Sequence, residues 1–284
     1  CQAMMNSKDL FRDLRKRITL RQEASETDSI LYRVLESVPG ITRSDIIAQK
    51  AVSLTASEQA SLDSIINRIN TSEPVQYILG KADFYGREFD VNPSVLIPRP
   101  ETELLIEEVL RNTPNEPGKI LDIGTGSGCI AITLACELSR KEVYAFDISE
   151  DALRTATKNS AKLKARVTFK RVDILKEPIG TDEFECIVSN PPYVAVSEKS
   201  TMEENVLNYE PHLALFVPDN DPLVFYKVIA EKAVVALKPG GRLMVEINER
   251  FGNEVREVFT NAGFTNAKII KDLQGKDRIV SARK

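Results

Sequence analysis

The sequence has few of the side chains that bind metals or form nucleophile–base pairs. Its 284 residues include one histidine, His212, in a Glu-Pro-His segment, and no two cysteines have C-x-x-C spacing. The cysteines are Cys1, Cys129, Cys136 and Cys186. A zinc site of Cys and His is therefore not expected, and no metal is predicted. A Ser-His-Asp hydrolase would depend on His212 alone and is disfavoured.

Long hydrophobic runs are also lacking. Apolar stretches such as 119–124 and 242–247 are short and interrupted by charge, whereas a membrane helix needs about 18 apolar residues. Charged residues begin at Lys8 and no apolar stretch follows, which is unlike a signal peptide. Because the cysteine usage also fits a reducing compartment, we expect a cytoplasmic protein with no membrane partner.

Positive charge is not in excess. The formal net charge is −4 and the isoelectric point is near 5.4, which disfavours a surface that coats nucleic acid. Hydrophobic residues make up 42% and charged residues 28% of the chain, as in ordinary globular proteins. The length is typical of two domains.

Sequence patterns divide the chain into three parts. Residues 1–73 have helical apolar spacing, as at Leu10, Leu14 and Ile18, and the run Thr55–Glu58 has the pattern of a capping box. Residues 74–98 alternate aromatic and β-branched residues with turn residues, which predicts a β-hairpin linker. From 99 to 284 strand and helix patterns alternate. We expect a helical N-terminal domain for substrate recognition, the linker, and a catalytic α/β domain.

The alternating part predicts a mostly parallel sheet with helices on both faces. The predicted strands are 119–123, 142–146, 166–171, 186–189 and 242–247, with two more near 268–271 and 278–282. The predicted helices are 101–111, 128–138, 150–163 and 221–237.

A glycine-rich loop follows the first of these strands. Gly124, Gly126 and Gly128 alternate with Thr125 and Ser127, and Asp147 ends the next strand. Glycines there allow a ligand to approach the backbone closely, and an acidic side chain at that distance can accept hydrogen bonds from ribose hydroxyls.

The spacing of this loop bears on the cofactor. Dinucleotide sites have G-x-G-x-x-G, whereas G-x-G-x-G favours a cofactor without a pyrophosphate, as in S-adenosylmethionine-dependent methyltransferases. Asp173, after the third strand, can hold an adenine amine. The alternatives are a tight βα turn with a surface Asp147, and a solvated strand end at Asp173.

The fourth strand runs into Asn190, Pro191, Pro192 and Tyr193. The prolines fix φ and keep Asn190 out of the helical region, so an acceptor side chain stands on a stiff backbone beside an aromatic ring. That arrangement suits a planar NH₂ group held toward an electrophile, with positioning and preorganised polarity as the catalytic effects. The alternative is a proline turn that only ends the strand.

With these motifs in place, the chain resembles the peptide chain release factor glutamine methyltransferases of the HemK/PrmC type. The resemblance covers about 74–250. It is carried by the segments 74–80, 84–86, 95–103, 121–128, 188–193, 210–215 and 237–241.

The resemblance implies a Rossmann-like class I methyltransferase sheet and methyl transfer from S-adenosyl-L-methionine to the side-chain amide of the glutamine in the Gly-Gly-Gln loop of release factors. It implies that the cofactor is bound by Gly124, Thr125, Gly126, Ser127, Gly128, Asp147, Asp173, Ile174 and Asn190. Catalytic roles fall to Asn190, Pro191 and Tyr193, and the glutamine pocket to Asn190, Pro191, Pro192 and Tyr193.

The segment 99–102 is open to two interpretations. In the first, the cofactor site is closed by Arg99, Glu101 and Thr102. In the second, an ion pair of Arg99 with Glu101 caps the following helix. The sequence also departs from the family pattern at 217–223 and at 246–248, where the family has a glycine-rich stretch and Glu-x-Gly.

Three other functions remain to be weighed. A glutamine methyltransferase for a ribosomal protein shares most of these motifs. A nucleic-acid adenine methyltransferase is disfavoured because base flipping needs a basic surface. A non-catalytic cofactor-binding module is disfavoured by the intact turn 190–193. We expect release factors as protein substrates, no direct nucleic-acid partner, and a monomer.

Overall fold

A computed structural model describes residues 5–284, which its contacts divide into two units. The helical unit consists of the described part of Cys1–Gly80 together with Glu203–Tyr209. The sheet unit consists of Lys81–Met202 and Glu210–Lys284.

The bounds of the regular elements follow in chain order. The strands are β1 (Met5–Asn6), β2 (Ala51–Val52), β3 (Lys81–Phe84), β4 (Arg87–Asp90), β5 (Gly118–Ile123), β6 (Lys141–Asp147), β7 (Val167–Arg171), β8 (Phe184–Ser189), β9 (Val194–Ala195), β10 (Phe216–Val217), β11 (Leu237–Glu246), β12 (Thr265–Lys271) and β13 (Asp277–Arg283). The α-helices are α1 (Ser7–Arg17), α2 (Ala24–Ser37), α3 (Arg43–Ile47), α4 (Ala56–Asn70), α5 (Val75–Leu79), α6 (Glu103–Asn112), α7 (Cys129–Glu137), α8 (Glu150–Lys162), α9 (Glu204–Tyr209), α10 (Val224–Ala236) and α11 (Gly252–Asn261).

Three helices of the helical unit, α1, α3 and α4, begin at side-chain caps. The predicted capping box at Thr55 and Glu58 is confirmed, and Thr42 and Asp45 form a second one. The apolar faces of α1, α2 and α4 meet in one core that includes Leu14, Leu31, Leu35, Leu62 and Ile66. The short α9 joins this unit, since the Tyr209 hydroxyl donates to the Thr71 carbonyl at 2.7 Å.

The predicted hairpin over 74–98 is wrong for its first part. Residues Val75–Leu79 form α5, and the hairpin is confined to β3 and β4. The reason is the flanking pair: Pro74 occupies the N-cap, and Gly80 adopts a left-handed φ of +73° that ends the helix. The periodicity of a five-residue segment is too short to distinguish helix from strand.

The sheet unit contains a seven-stranded sheet in the order β12-β13-β11-β8-β5-β6-β7. Strands β11, β8, β5, β6 and β7 are mutually parallel, and β13 is antiparallel to β11 and β12. The predicted α/β sheet is therefore confirmed. The order reverses between β5 and β8, and ligands of such sheets bind at this reversal, outside the carboxyl ends of the strands.

Both faces of the sheet are covered. One apolar cluster packs α10 and α11 on one face, with Tyr226, Ile229 and Phe259 fully buried, and the other packs α6 and α7 on the opposite face. Because the central strands are buried on both sides, they consist of nearly continuous apolar runs. In the part of the chain from 5 to 284, no helix is long and apolar enough to cross a membrane.

Candidate functional site

A cavity of about 510 Å³ lies at the carboxyl ends of β5, β6 and β8. It is lined by most of the predicted site residues: Gly124, Thr125, Gly126, Ser127, Asp147, Asp173, Ile174, Asn190, Pro191 and Pro192. Gly128 and Tyr193 do not line it. The topology therefore brings together, in one unit, segments that are separated by up to 68 residues in the sequence.

The glycine loop lies at the carboxyl end of β5. The amides of Gly124 and Thr125 both donate to the Phe146 carbonyl, at 2.8 and 3.0 Å, which ties the loop to β6. Gly124 and Gly126 have φ of +75° and +55°, and a Cβ at either position would meet no protein atom within 4 Å. The open space beside them belongs to the cavity, so their backbone can contact a ligand directly.

Gly128 has a different role from the other two glycines. It is the N-cap of α7, and a Cβ there would lie 2.8 Å from Cδ1 of Ile132. It allows the helix to start close to its neighbours and does not face the cavity. The prediction that it contacts the cofactor therefore has no support from its position.

Asp147 stands at the end of β6 with its carboxylate in the cavity wall. One oxygen accepts the Gly126 amide at 2.9 Å and the other accepts the Ser149 amide at 2.9 Å. Burial raises its pKa, and these backbone donors oppose that shift. Each oxygen retains a lone pair, so the group can accept hydrogen bonds from a pair of ribose hydroxyls.

Two buried side chains hold the loop from behind and were not assigned roles from the sequence. Asp122 accepts the Thr125 hydroxyl at 2.8 Å, and burial raises its pKa to about 7. Asn159 of α8 donates to the Ser127 carbonyl at 2.9 Å and exchanges hydrogen bonds with the backbone of Asp90. A polar residue at a buried position of a helix pattern is the signal that could have pointed to Asn159.

The third acidic position lies at the far side of the cavity. Asp173 accepts the Leu175 amide at 3.0 Å, and its own amide donates to Glu177 at 2.7 Å. Lys232 of α10 donates to the carbonyls of Ile174 and Glu177, which closes the same turn. This turn presents Asp173 and Ile174 to the cavity.

The turn after β8 brings an amide side chain to the reversal point. Asn190 follows Ser189, which pairs with Ile123 of β5 and donates its hydroxyl to the Ile123 carbonyl at 2.7 Å. Asn190 is half-buried and lines the cavity. Within residues 5–284 its side-chain amide has no hydrogen-bond partner, so its donor and acceptor are available to a ligand.

Tyr193 packs against the core of the sheet unit and does not line the cavity. Its ring packs against the apolar cluster of α10 and α11, and its hydroxyl lies 3.5 Å from Oε1 of the buried Glu246. Burial raises the pKa of the Tyr193 hydroxyl well above its usual range. Its predicted role in the glutamine pocket stays a prediction.

The segment 97–102 forms another wall of the cavity. Arg99 pairs with Glu210 at 2.5 Å, and Glu210 also accepts the Ile97 amide at 3.0 Å. Of the two interpretations of this segment, the ion pair of Arg99 with Glu101 is not the one that forms, because Glu210, buried beside the segment, provides the carboxylate. Arg99 and Thr102 line the cavity, whereas Glu101 does not.

Several apolar lining residues lie outside the segments expected to form the site. Phe225 and Ile229 come from α10, and Leu213 stands exposed at the rim. Their positions depend on how α10 and the segment after α9 return to the sheet. Single apolar residues carry no local signal for such a role.

Comparison with known proteins identifies the family. The profile of the PrmC N-terminal domain matches residues 9–80, and that of the methyltransferase small domain matches residues 100–212. The release factor glutamine methyltransferase of Bacteroides thetaiotaomicron is 48% identical over 246 residues, covering 86% of this chain and 88% of that protein. That of Flavobacterium psychrophilum is 42% identical over 262 residues, covering 91% and 92%.

The chain belongs to the release factor glutamine methyltransferase family. The predicted family resemblance, enzyme class and cofactor, S-adenosylmethionine, are thereby confirmed. Among solved structures, a methyltransferase from Pyrococcus furiosus has a TM-score of 0.50 and 19% identity, covering 81% of this chain and 99% of that chain, which supports the fold.

The residues of the cavity fit the cofactor of this family. The space left by Gly124 and Gly126 admits a ligand against the backbone, Asp147 offers acceptors for a ribose, and the turn at Asp173 offers acceptors for an adenine amine. The predicted roles of the individual residues remain proposals.

Proposed function

We propose that this methyltransferase family member transfers a methyl group from S-adenosylmethionine to the side-chain amide nitrogen of the glutamine in the Gly-Gly-Gln motif of peptide chain release factors. The observation that carries the proposal is the unpartnered amide of Asn190 at the reversal point of the sheet, facing the cavity. Family membership supports the substrate, since the relatives are named for it.

The chain's own residues account for the positioning of the reactants. S-adenosylmethionine, when bound, supplies a methyl group on a positively charged sulfonium. Gly124, Gly126 and Asp147 hold that cofactor, and the Asn190 side chain accepts a hydrogen bond from the glutamine NH₂. An amide nitrogen is a weak nucleophile because its lone pair is delocalised, so orientation and fixed acceptors that stabilise developing positive charge are the main catalytic contributions.

No general base is needed before the transfer. The amide nitrogen becomes strongly acidic only as it is methylated, and its proton can then leave to solvent. The cavity accordingly needs acceptors for the NH₂ hydrogens, which Asn190 provides, and walls that exclude water, which Pro191, Pro192 and Phe225 provide.

The substrate partner and the organisation of the chain are part of the same proposal. The helical unit recognises the release factor, and the sheet unit carries out the transfer. The net charge of −4 supports an enzyme that acts on a protein without binding nucleic acid directly. We propose that it acts as a monomer in the cytoplasm.

The test is methylation of purified release factor with labelled S-adenosylmethionine. We expect label on the wild-type release factor and none when the glutamine of its Gly-Gly-Gln motif is replaced by alanine. Purified ribosomal proteins serve as the competing substrate. Equal labelling of the alanine variant, or labelling of a ribosomal protein in preference to the release factor, would exclude the assignment.

A further inference from the structure

Two walls of the cavity meet at one buried carboxylate. Glu246, the last residue of β11, is 1% exposed. Its Oε2 accepts the hydroxyl of Thr102 at 2.6 Å, and Thr102 belongs to the wall 97–102. Its Oε1 lies 3.5 Å from the hydroxyl of Tyr193, at the end of the turn 190–193.

The end of β11 also holds the turn through its backbone neighbours. Asn248 donates its side-chain amide to the Tyr193 carbonyl at 3.4 Å. The Glu246 carbonyl accepts the hydroxyl of the fully buried Tyr226 at 3.0 Å, which fixes the strand end itself. The carboxylate of Glu246 therefore stands at the end of a fixed strand and contacts two loops, the wall 97–102 and the turn 190–193.

The electrostatic surroundings of Glu246 are mixed. Burial raises the pKa of Glu246 and the charge of Glu101 adds to that shift, whereas the Thr102 hydroxyl and Arg278 favour the charged form. A buried carboxylate with few donors is costly, so its hydroxyl partners must be held in place. Glu246 does not line the cavity, so neither of its carboxylate oxygens faces it.

We propose that Glu246 is a positioning residue for methyl transfer, which fixes the turn 190–193 relative to the wall 97–102 through Tyr193 and Thr102. The inference rests on the proposed function, because the turn matters only if Asn190 holds the substrate amide. A displacement of the reacting group by about 1 Å can cost on the order of 100-fold in rate. Loss of Glu246 therefore acts mainly on kcat.

The experiment compares four variants of the full chain with the wild type: Glu246→Ala, Glu246→Gln, Tyr193→Phe and the Glu246→Ala/Tyr193→Phe double variant. We expect Glu246→Ala to lower kcat by about 10- to 100-fold. Glu246→Gln, whose amide can still accept from Thr102, restores most of that loss. The double variant is no slower than the slower single variant, because both changes remove the same link.

A matched control separates positioning from simple destabilisation. Glu185 pairs with Lys141, whose side chain is 1% exposed, at the amino ends of β8 and β6, whereas the cavity lies at the carboxyl ends. Glu185→Ala also removes the partner of a buried charge, and we expect it to lower the melting temperature while kcat stays near the wild-type value.

A second readout does not depend on the substrate. We expect faster amide hydrogen exchange at Val194, whose N–H donates to the Leu215 carbonyl at 2.9 Å directly after the turn, in Glu246→Ala, and near-normal exchange in Glu246→Gln. If the wild-type protein labels no glutamine, the proposed function is excluded. The hydrogen-exchange measurement would still decide whether Glu246 holds the turn 190–193. A kcat loss no larger than that of Glu185→Ala, additive losses in the double variant, or unchanged exchange at Val194 would overturn the inference.

Discussion

At the scale of single residues, the site combines a half-buried polar side chain that lacks a protein partner among residues 5–284 with fully buried polar side chains that have such partners. Asn190 presents an amide without a protein partner to the cavity. Asn159 has the same side chain but is fully buried, and its amide donates to the backbone carbonyls of Asp90 and Ser127. The first arrangement is available for a ligand and the second for holding a loop. Residue type alone does not distinguish them.

The first prediction concerns Asn190. Asn190→Ala should lower turnover by on the order of 100-fold or more, because it removes a fixed acceptor for the reacting NH₂ group. Binding of S-adenosylhomocysteine, measured by calorimetry, should weaken far less. Asn115→Ala, at an exposed asparagine outside the cavity, is the control and should have normal turnover. Near-normal turnover of Asn190→Ala would contradict the role given to this residue.

A second prediction at this scale concerns pH. The pKa of Asp122 in the folded chain is raised from 3.8 to about 7, so folding favours its protonated form. The stability this group contributes is present below its unfolded pKa and is lost as pH rises through the folded pKa. The free energy of unfolding should therefore decline between pH 4 and pH 7, by up to about 4 kcal/mol from this group.

Urea unfolding of the apo protein and of Asp122→Asn checks this expectation. Asparagine can still accept the Thr125 hydroxyl but does not ionise, so the stability of Asp122→Asn relative to wild type should rise across that pH range. Asp147 and Glu246, whose pKa values are also raised by burial, are the same in both proteins. A difference that stays constant with pH would refute the assignment.

At the scale of elements, the cavity depends on where parallel strands end. Strands β5 and β8 are neighbours, with Ile123 paired to Ser189, so the loops that follow them lie side by side although 66 residues separate these two positions. The wall 97–102 is fixed by carboxylates of later elements, Glu210 and Glu246. The site is therefore assembled by the sheet and held by side chains from outside the motifs.

A third prediction tests the glycine loop with a matched control. Gly126 and Gly86 both have positive φ, +55° and +71°, and a Cβ at either would meet no protein atom within 4 Å. Alanine at each should cost about 1 kcal/mol of stability from backbone strain. Only Gly126→Ala places a methyl group in the cavity, so it alone should weaken S-adenosylhomocysteine binding, by about 10-fold. Equal affinities in calorimetry would show that the ligand does not approach this backbone.

At the scale of the whole molecule, the chain has separate cores. The helical unit has its own cluster around Leu31, Leu35 and Leu62, and the sheet unit has one cluster on each face of its sheet. The cavity is lined only by residues of the sheet unit. We therefore expect the cofactor to bind in that unit.

A fourth prediction follows for the ligand's footprint. A ligand at 100 times its Kd stabilises the state that binds it by about 2.7 kcal/mol. In hydrogen exchange of the full chain, S-adenosylhomocysteine should slow exchange in the loops after β5, β6 and β8, and leave the helices α1, α2 and α4 unchanged. Equal protection of those helices would contradict a cavity confined to the sheet unit.

The sequence predicted those parts of the site that have local causes. The loop 124–128 needs glycine at Gly124 and Gly126 because of positive φ and close approach, and the prolines at 191 and 192 fix the turn that carries Asn190. The helix over Val75–Leu79 was missed because five residues carry too little periodicity, although Pro74 and Gly80 mark its ends. The sequence left the partner of Arg99 open, since Glu210, which pairs with it, is 111 residues away in the chain.

The amino-acid sequence by itself determined the alternation of strands and helices, the glycine loop, the acidic residue Asp147 at the end of the next strand, and the proline turn. Each of these depends on residues that are close together in the chain. Only the tertiary structure decided that Tyr193 turns its hydroxyl toward Glu246, that Glu210 holds Arg99, and that α9 packs with the helical unit. The physical reason is that these contacts join segments far apart in the chain. Their partners are selected by the strand order and by burial, which no local pattern encodes.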